Sequence, residues 1–414
     1  MRVSVLDILR CPYCGRRPEI VTAMFHRMEG DELHDGILGC YCCIFPVVSG
    51  IPVMHLQDIA TRARAHIEAG ESDLARRAMF DLPDDRVATR FDEVALSPQA
   101  TYRDAIEALG PNSEYRYFLY RFSDPGYVVA HALVRAVAGT VLAGGGRAVD
   151  VCGGSAHLTR ALMDLSSAAP VLADLSFLKM WLGRRFVAPG CEAVCCDADA
   201  ALPFARGAFR YAMCADAFMF IWMKRQLVGE MERLVDGRDL AAVVISHAHN
   251  QRVWSPSHGQ PLPPEGYRDL FEHLEPRLFT EGGLFADVLG GGPIDLSRRD
   301  SAATLDADPA LALIATNRSD VFTRHPIDYT SGAPGEFRVN PLYLVERSSD
   351  PIRLRLQFPA VDYEDEFGAC REYLPEEALI DRRAFGALGG PVLPPQLAEL
   401  HRRRAILDLP ARYY

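Results

Sequence analysis

Residues 147–158 read RAVDVCGGSAHL, and the reading of the whole chain starts from them. Ala148-Val149-Asp150-Val151 is a short apolar run, as expected of a buried strand. Gly153-Gly154 marks a tight turn, and His157 to Met163 reads as the start of a helix. Glycines in such a turn let the backbone approach a ligand closely, and a helix N-terminus offers free N–H groups. Working outward, Pro170 to Leu175 (PVLADL) reads as a second strand ending in an acid, Asp174. A carboxylate there suits ribose hydroxyls, because it accepts two hydrogen bonds. Next come Cys196-Asp197-Ala198-Asp199-Ala200-Ala201-Leu202-Pro203-Phe204, a fourth strand near Arg210 to Ala215, a helix over 223–236 and a strand over 240–246. Alternating strands and helices predict an α/β fold with a doubly wound, mostly parallel sheet.

These three acid-bearing segments, in this order, resemble the class I S-adenosylmethionine-dependent methyltransferases over 144–250, and more loosely over 250–318. The resemblance implies a Rossmann-like sheet, with Asp150 as the acid of the first motif, Asp174 the ribose acid and Asp197 the acid facing the adenine amine. It extends the expected S-adenosylmethionine site to Cys152, Gly153, Gly154, Leu175, Ala198 and Cys214. Where the family carries Gly-x-Gly-x-Gly, this chain has Cys152, Gly154 and Ala156.

The N-terminus suggests a second cofactor. Cys11-Pro-Tyr-Cys14 is one C-x2-C knuckle, and Cys40-Tyr-Cys42-Cys43 supplies another. Paired knuckles are a sequence sign of a tetrahedral zinc site, which substitutes for a core too small to fold alone. Cys11, Cys14, Cys40 and Cys43 keep the x2 spacing, although Cys42 competes with Cys43 for the fourth place. Leu6, Leu9 and the stretch Phe45-Pro46 to Gly50-Ile51-Pro52 resemble the small zinc-ribbon activators of tRNA, rRNA and release-factor methyltransferases. That likeness implies a structural zinc: four sulfurs leave no open coordination position.

At 414 residues the chain exceeds one typical domain. The expected division is a zinc ribbon at 1–56, a helical linker and lid at 57–143, the methyltransferase unit at 144–318 and an extension of unassigned role at 319–414. Two helices are expected in 56–80, broken near Gly70, and irregular chain over 81–100. Further predictions are a helix over 262–274, strands at 283–289 and 310–316, a hairpin over 343–358 and a helix at 395–407. The aromatic cluster Tyr115, Tyr117, Tyr120 and Phe122 reads either as acceptor-pocket lining or, preferably, as packing. His131 reads as a core histidine.

Composition bounds the partners. A net charge of −11 disfavours bulk nucleic acid, which wants a basic face. No apolar run reaches the ~18 residues of a membrane helix, and the first residues lack a signal peptide's apolar core. The odd count of 11 cysteines fits reduced thiols. A cytoplasmic protein without a membrane partner is the simplest expectation. The tail reads as pocket cover or a homodimer contact.

For chemistry, Asp216-Ala217-Phe218-Met219 follows the fourth strand without the Asn/Asp-Pro-Pro-Tyr/Phe that grips exocyclic amines. Hydroxyl, carbon or carboxyl methylation of a small-molecule acceptor, in natural-product or glycan assembly, is therefore the leading expectation. An RNA or protein acceptor is its first rival, and a degenerate, non-catalytic binding module the second. His247 and His249 lie at the C-terminal end of a parallel strand, where doubly wound folds place ligands. An imidazole there can take a proton near neutral pH. Asp216 and His258 are further candidates, and transfer by proximity alone needs no base.

Overall fold

The computed structural model describes all residues except 16, 111–113, 236–239, 256–258, 328 and 330–332, and only the backbone of 114–116. The N-terminal unit is an antiparallel meander of β1 (Thr22–Glu29), β2 (Glu32–Gly39), β3 (Ile44–Val48) and β4 (Ile51–Pro52). Beyond it lie α1 (Asp58–Glu68) and α2 (Ser72–Phe80), parted at Gly70, whose φ of 78° ends the first helix. Residues 81–100 are not irregular throughout. They contain α3 (Asp85–Ala95), whose N-cap Asp84 accepts a hydrogen bond from Val87 N at 2.8 Å. Pro83 and Pro98 flank that helix without interrupting it, so they mark its limits rather than its absence. Next come α4 (Tyr102–Ala108), closed by a Thr101–Asp104 capping box, and α5 (Pro125–Leu142). By length and hydropathy α5 could cross a membrane, but 72% of it is buried in the protein, as a core helix would be. His131 is buried on it, as expected.

The central sheet contains β5 (Ala148–Val151), β6 (Val171–Asp174), β7 (Glu192–Cys195), β8 (Tyr211–Ala215), β9 (Ala242–His249) and β10 (Pro276–Thr280). It is completed by β12 (Ala310–Thr316), which follows a two-residue β11 (Ile294–Asp295). Strand order is β10-β12-β9-β8-β5-β6-β7, parallel from β9 to β7, with β12 antiparallel to both its neighbours. This is a doubly wound sheet whose order reverses between β5 and β8, and such a switch point opens a crevice at the strands' C-terminal ends.

Several local expectations need correction. The helix predicted from His157 is only a 3₁₀ turn, Thr159–Leu162. Residues 283–289 form no strand but belong to α9 (Glu281–Leu289), whose Leu284 and Val288 are buried four residues apart on one face. The strand there is the preceding β10. Of the helix predicted over 262–274 only α8 (Pro264–Arg268) forms. The expected C-terminal helix is confined to Ala398–Arg402 before a strand begins at Ile406.

Neither terminal unit is detached. Val53 pairs in parallel with Cys195, and Met54 N donates to Cys195 O at 2.7 Å, so the ribbon chain extends the sheet beyond β7. Arg10 N donates to Pro203 O, and Ala205 N to Ile8 O, which clamps the loop after β7. Leu9, Phe45 and Val47 share one core with Val149, Val171, Val194 and Phe204. Beyond a short β13 (Arg324–His325), the tail adds β14 (Glu336–Val339), the expected hairpin of β15 (Tyr343–Glu346) and β16 (Ile352–Leu356), β17 (Glu377–Ile380) and β18 (Ile406–Leu409). It then grips the lid segment: Arg404 donates to Phe122 O, Cys370 and Tyr373 to Ser123 O, and Tyr413 to Phe118 O.

Candidate active site and metal centre

The turn after β5 is built on left-handed backbone. Cys152, Gly154 and Ala156 have φ of 60°, 54° and 66°. These are the three positions where the resembled family carries glycine, and left-handed φ is a physical reason for it. Gly153 is required for space: a Cβ there would lie 2.6 Å from Asp150 Cγ and Leu172 Cδ1. A Cβ at Gly154 would meet nothing within 4 Å, so the turn is open on that side.

The acids stand at neighbouring strand ends. Asp150 is buried; its Oδ2 accepts from Thr159 Oγ1 at 2.7 Å, while Oδ1 has no hydrogen-bond partner among the described residues. Burial pushes its carboxyl up to about 7 against that hydrogen bond. Asp174 ties two loops together, accepting from Gly154 N at 2.9 Å and Ser176 N at 2.8 Å. Asp197 accepts from Asp199 N at 2.9 Å, and Asp199 in turn accepts from the amides of Trp222 and Met223. Leu175 is exposed beside Asp174, and Ala198 is buried beside Asp197. Cys214 is wholly buried in β8, with its side chain against Cys152 in the turn after β5.

A second group forms on β8 and β9. Asp216 and His247 also have left-handed φ, 53° and 52°, and non-glycine residues so strained cluster at functional sites. His247 Nδ1 lies 2.8 and 3.0 Å from the two Glu281 oxygens, and its Nε2 lies 3.3 Å from His249 Nε2 and 3.7 Å from Asp216 Oδ1. His249 Nδ1 lies 3.2 Å from Ser255 Oγ. Arg121 bridges Asp216 at 2.7 Å and Asp124 at 3.4 Å, and Tyr363 of the tail donates to Asp124. Gly126 leaves room for the ring, since a Cβ there would lie 3.0 Å from His247 Nδ1. Burial alone would lower the His247 imidazole, but Glu281 and then Asp216 raise it to about 9. Burial and the His247 charge hold His249 below its ordinary value. Burial would raise Asp216, but Arg121 and His247 hold it low. The cluster therefore pairs an imidazolium with a neutral imidazole at neutral pH.

All three candidate catalytic residues thus come together. Glu281 and Arg121 were missed; Glu281 was hidden because its segment read as the approach to a strand. His258 and the Tyr115 side chain lie outside the described residues. Tyr117 and Tyr120 pack on Tyr363, which supports the packing reading of the aromatic cluster.

In the ribbon, the Sγ atoms of Cys11, Cys14, Cys40 and Cys43 lie within 4.8 Å of one another and could hold a metal ion. Backbone amides of Tyr13 and Cys43 point at Cys11 and Cys40 sulfurs, 3.4 and 3.1 Å away. Cys42 is exposed, 2.7 Å from Cys14, outside that foursome.

No protein-family profile matches the chain, and no curated protein matches it. Solved structures similar to it include the YcgJ protein of Bacillus subtilis, at 16% identity and a TM-score of 0.31, covering 42% of this chain and 93% of that one. Geranyl diphosphate C-methyltransferase of Streptomyces coelicolor, solved with S-adenosyl-L-homocysteine, is 13% identical with a TM-score of 0.32, over 42% and 70%. A Haloferax volcanii complex of the Trm112 methyltransferase activator with a methyltransferase gives 17%, a TM-score of 0.34, and coverage of 50% and 99%. Identities and TM-scores are low, and the fold assignment rests on the strand order itself.

Proposed function

We propose that the chain is an S-adenosylmethionine-dependent methyltransferase that methylates an oxygen, carbon or carboxyl group of a small molecule. One observation carries this reading: the left-handed turn and three acids at adjacent strand ends stand beside His249 and the strained Asp216 and His247 on the next two strands. The open turn at Gly154 and the unpartnered Asp150 Oδ1 fit a bound polar cofactor. S-adenosylmethionine supplies an electrophilic methyl group on a sulfonium. Asp174 would accept from ribose hydroxyls and Asp197 from the adenine amine, while the backbone of Cys152 to Gly154 approaches the cofactor closely.

At the acceptor side, His249 is the neutral imidazole and takes the acceptor's proton. His247, kept charged by Glu281, stabilises the acceptor oxygen as its charge grows. Asp216 is fixed by Arg121, which the tail holds in place through Tyr363 and Asp124. Zn²⁺ bound by Cys11, Cys14, Cys40 and Cys43 would hold the ribbon folded, and the ribbon in turn clamps the Asp197 loop at Pro203 and Ala205.

Calorimetric titration of the zinc-loaded protein with S-adenosylmethionine and S-adenosylhomocysteine tests the reading. Micromolar binding of both, lost in Asp174→Ala, is the expected result. Absence of binding in the wild type, with Cys152→Gly and Ala156→Gly equally silent, would leave the degenerate, non-catalytic alternative standing.

A further inference from the structure

A groove of about 360 Å³ lies between β10, the end of β12 and the segment after β11. Arg268, Arg277 and Arg299 line it, together with Thr316 and Asn317. None of the three arginines has an ion pair among the described residues, although the chain carries a net charge of −11. Among the described residues, their only side-chain hydrogen bond to protein is from Arg277 Nη1 to Leu296 O, at 3.2 Å. Arg277 is also held in place by Phe322, whose ring centroid lies 3.7 Å from its guanidinium carbon.

The carboxylates in the groove do not balance this charge. Asp300 is committed to Thr280 N and Oγ1, at 2.7 and 2.9 Å, and to Arg298 at 3.6 Å. Among the described lining residues, Glu275 remains as the one uncommitted carboxylate beside three arginines. Like charges gathered without a counter-ion repel, and guanidinium forks match tetrahedral oxyanions in geometry and charge.

We propose that this groove binds a phosphoryl group, with Arg268, Arg277 and Arg299 as its ligands. The excess charge suits a dianionic phosphate or phosphomonoester. Its position separates it from methyl transfer. Arg277 stands opposite Ile314, and Ile314 opposite Val244 of β9, whereas His247 lies three residues further along β9 and two strands from Arg277. At about 3.3 Å per residue and about 4.8 Å per strand, the backbones of Arg277 and His247 are roughly 14 Å apart. The bound phosphoryl group is therefore not beside the methylated atom of a compact acceptor. It belongs to a separate ligand, or to a remote part of a long one.

Titration calorimetry of the zinc-loaded full chain at low ionic strength, first with inorganic phosphate and then with glucose 6-phosphate and glucose, tests this. Phosphate and glucose 6-phosphate should bind, glucose should not, and added salt should weaken both. Tighter binding of the sugar phosphate would identify an organic phosphate as the ligand; equal affinity would identify phosphate itself. Arg268→Ala and Arg299→Ala, both at exposed positions, should each weaken binding roughly tenfold. Arg268→Lys and Arg299→Lys, which keep charge and fold, should recover part of the loss. Arg225→Ala, elsewhere on the surface, should change nothing. S-adenosylmethionine affinity should be the same in all these variants, so failure here leaves the methyltransferase reading untouched. No heat beyond that of chloride, or undiminished binding in the Arg268→Ala/Arg299→Ala double variant, overturns the proposal.

Discussion

Replacing Cys152 with glycine should stabilise the protein although it deletes a side chain. At φ 60° an L-residue costs about 1–2 kcal/mol that glycine avoids. Glycine loses about 0.5–1 kcal/mol of this through its freer unfolded chain. The half-buried Cys152 side chain, packed on the core beside Cys214, takes back part of this, so the expected net gain is about 0–1 kcal/mol. Ala156, at φ 66°, should behave differently. Its buried methyl fills the space left by Gly183, where an added Cβ would approach it to 2.9 Å. Losing that methyl costs about 0.8 kcal/mol, so Ala156→Gly should be nearly neutral. Gly153→Ala has the opposite sign. Its Cβ would intrude to 2.6 Å on Asp150 and Leu172, an overpacking worth about 1–3 kcal/mol that also displaces the first-motif acid. Urea unfolding at fixed pH should rank the proteins Cys152→Gly, then wild type with Ala156→Gly, then Gly153→Ala. Cofactor titration should show affinity kept in the first and lost in the last. The reasoning is refuted if Cys152→Gly costs stability or if Gly153→Ala is harmless.

The proposed methyl transfer should follow a bell in pH. Activity should rise as His249 loses its proton below the ordinary histidine range and fall as His247 loses its own near pH 9; Glu281→Gln should draw the alkaline limb towards neutrality, read from kcat against pH. Asp150 adds a pH-dependent stability term. Its folded value, about 7, exceeds its unfolded 3.8, so it stabilises below the unfolded value and that contribution is lost as pH rises through the folded one. Asp150→Asn should therefore gain on wild type between about pH 4 and 7 and hold a constant advantage above, measured by urea midpoints across that range. Chelating the metal, or Cys11→Ser, should lower S-adenosylmethionine affinity, because the ribbon carries the clamp on Pro203 and Ala205; calorimetry before and after zinc is restored checks this, and unchanged affinity would separate the two sites.

The parts legible in the sequence were those written locally. The strand, turn and acid of 147–158, the acids at 174 and 197 and the cysteine knuckles each sit within a dozen residues. His247, His249 and Asp216 were legible for a similar reason: each lies at a strand's C-terminal end. What was hidden depends on distant partners or on competing periodicities. Glu281 gains meaning only when α9 lies against β9, and Gly283 to Leu289 looks strand-like until Leu284 and Val288 are seen sharing one helical face. Pro83 and Pro98 obscured α3, since the cap at Asp84 outweighs the nearby prolines. Nothing local shows that Tyr363 meets Asp124, 239 positions away, or that Tyr413 meets His157.

The pairing of Val53 and Met54 with Cys195 also decides how the protein behaves in a crowded solution. An uncovered outer strand is a template on which other chains can add strands. Here the ribbon chain occupies the backbone groups of β7 at Cys195, and its core residues cover apolar side chains of the same sheet. A truncated chain beginning at the helices would carry both an uncovered edge at Cys195 and a bare apolar flank, and should aggregate more readily than the full chain.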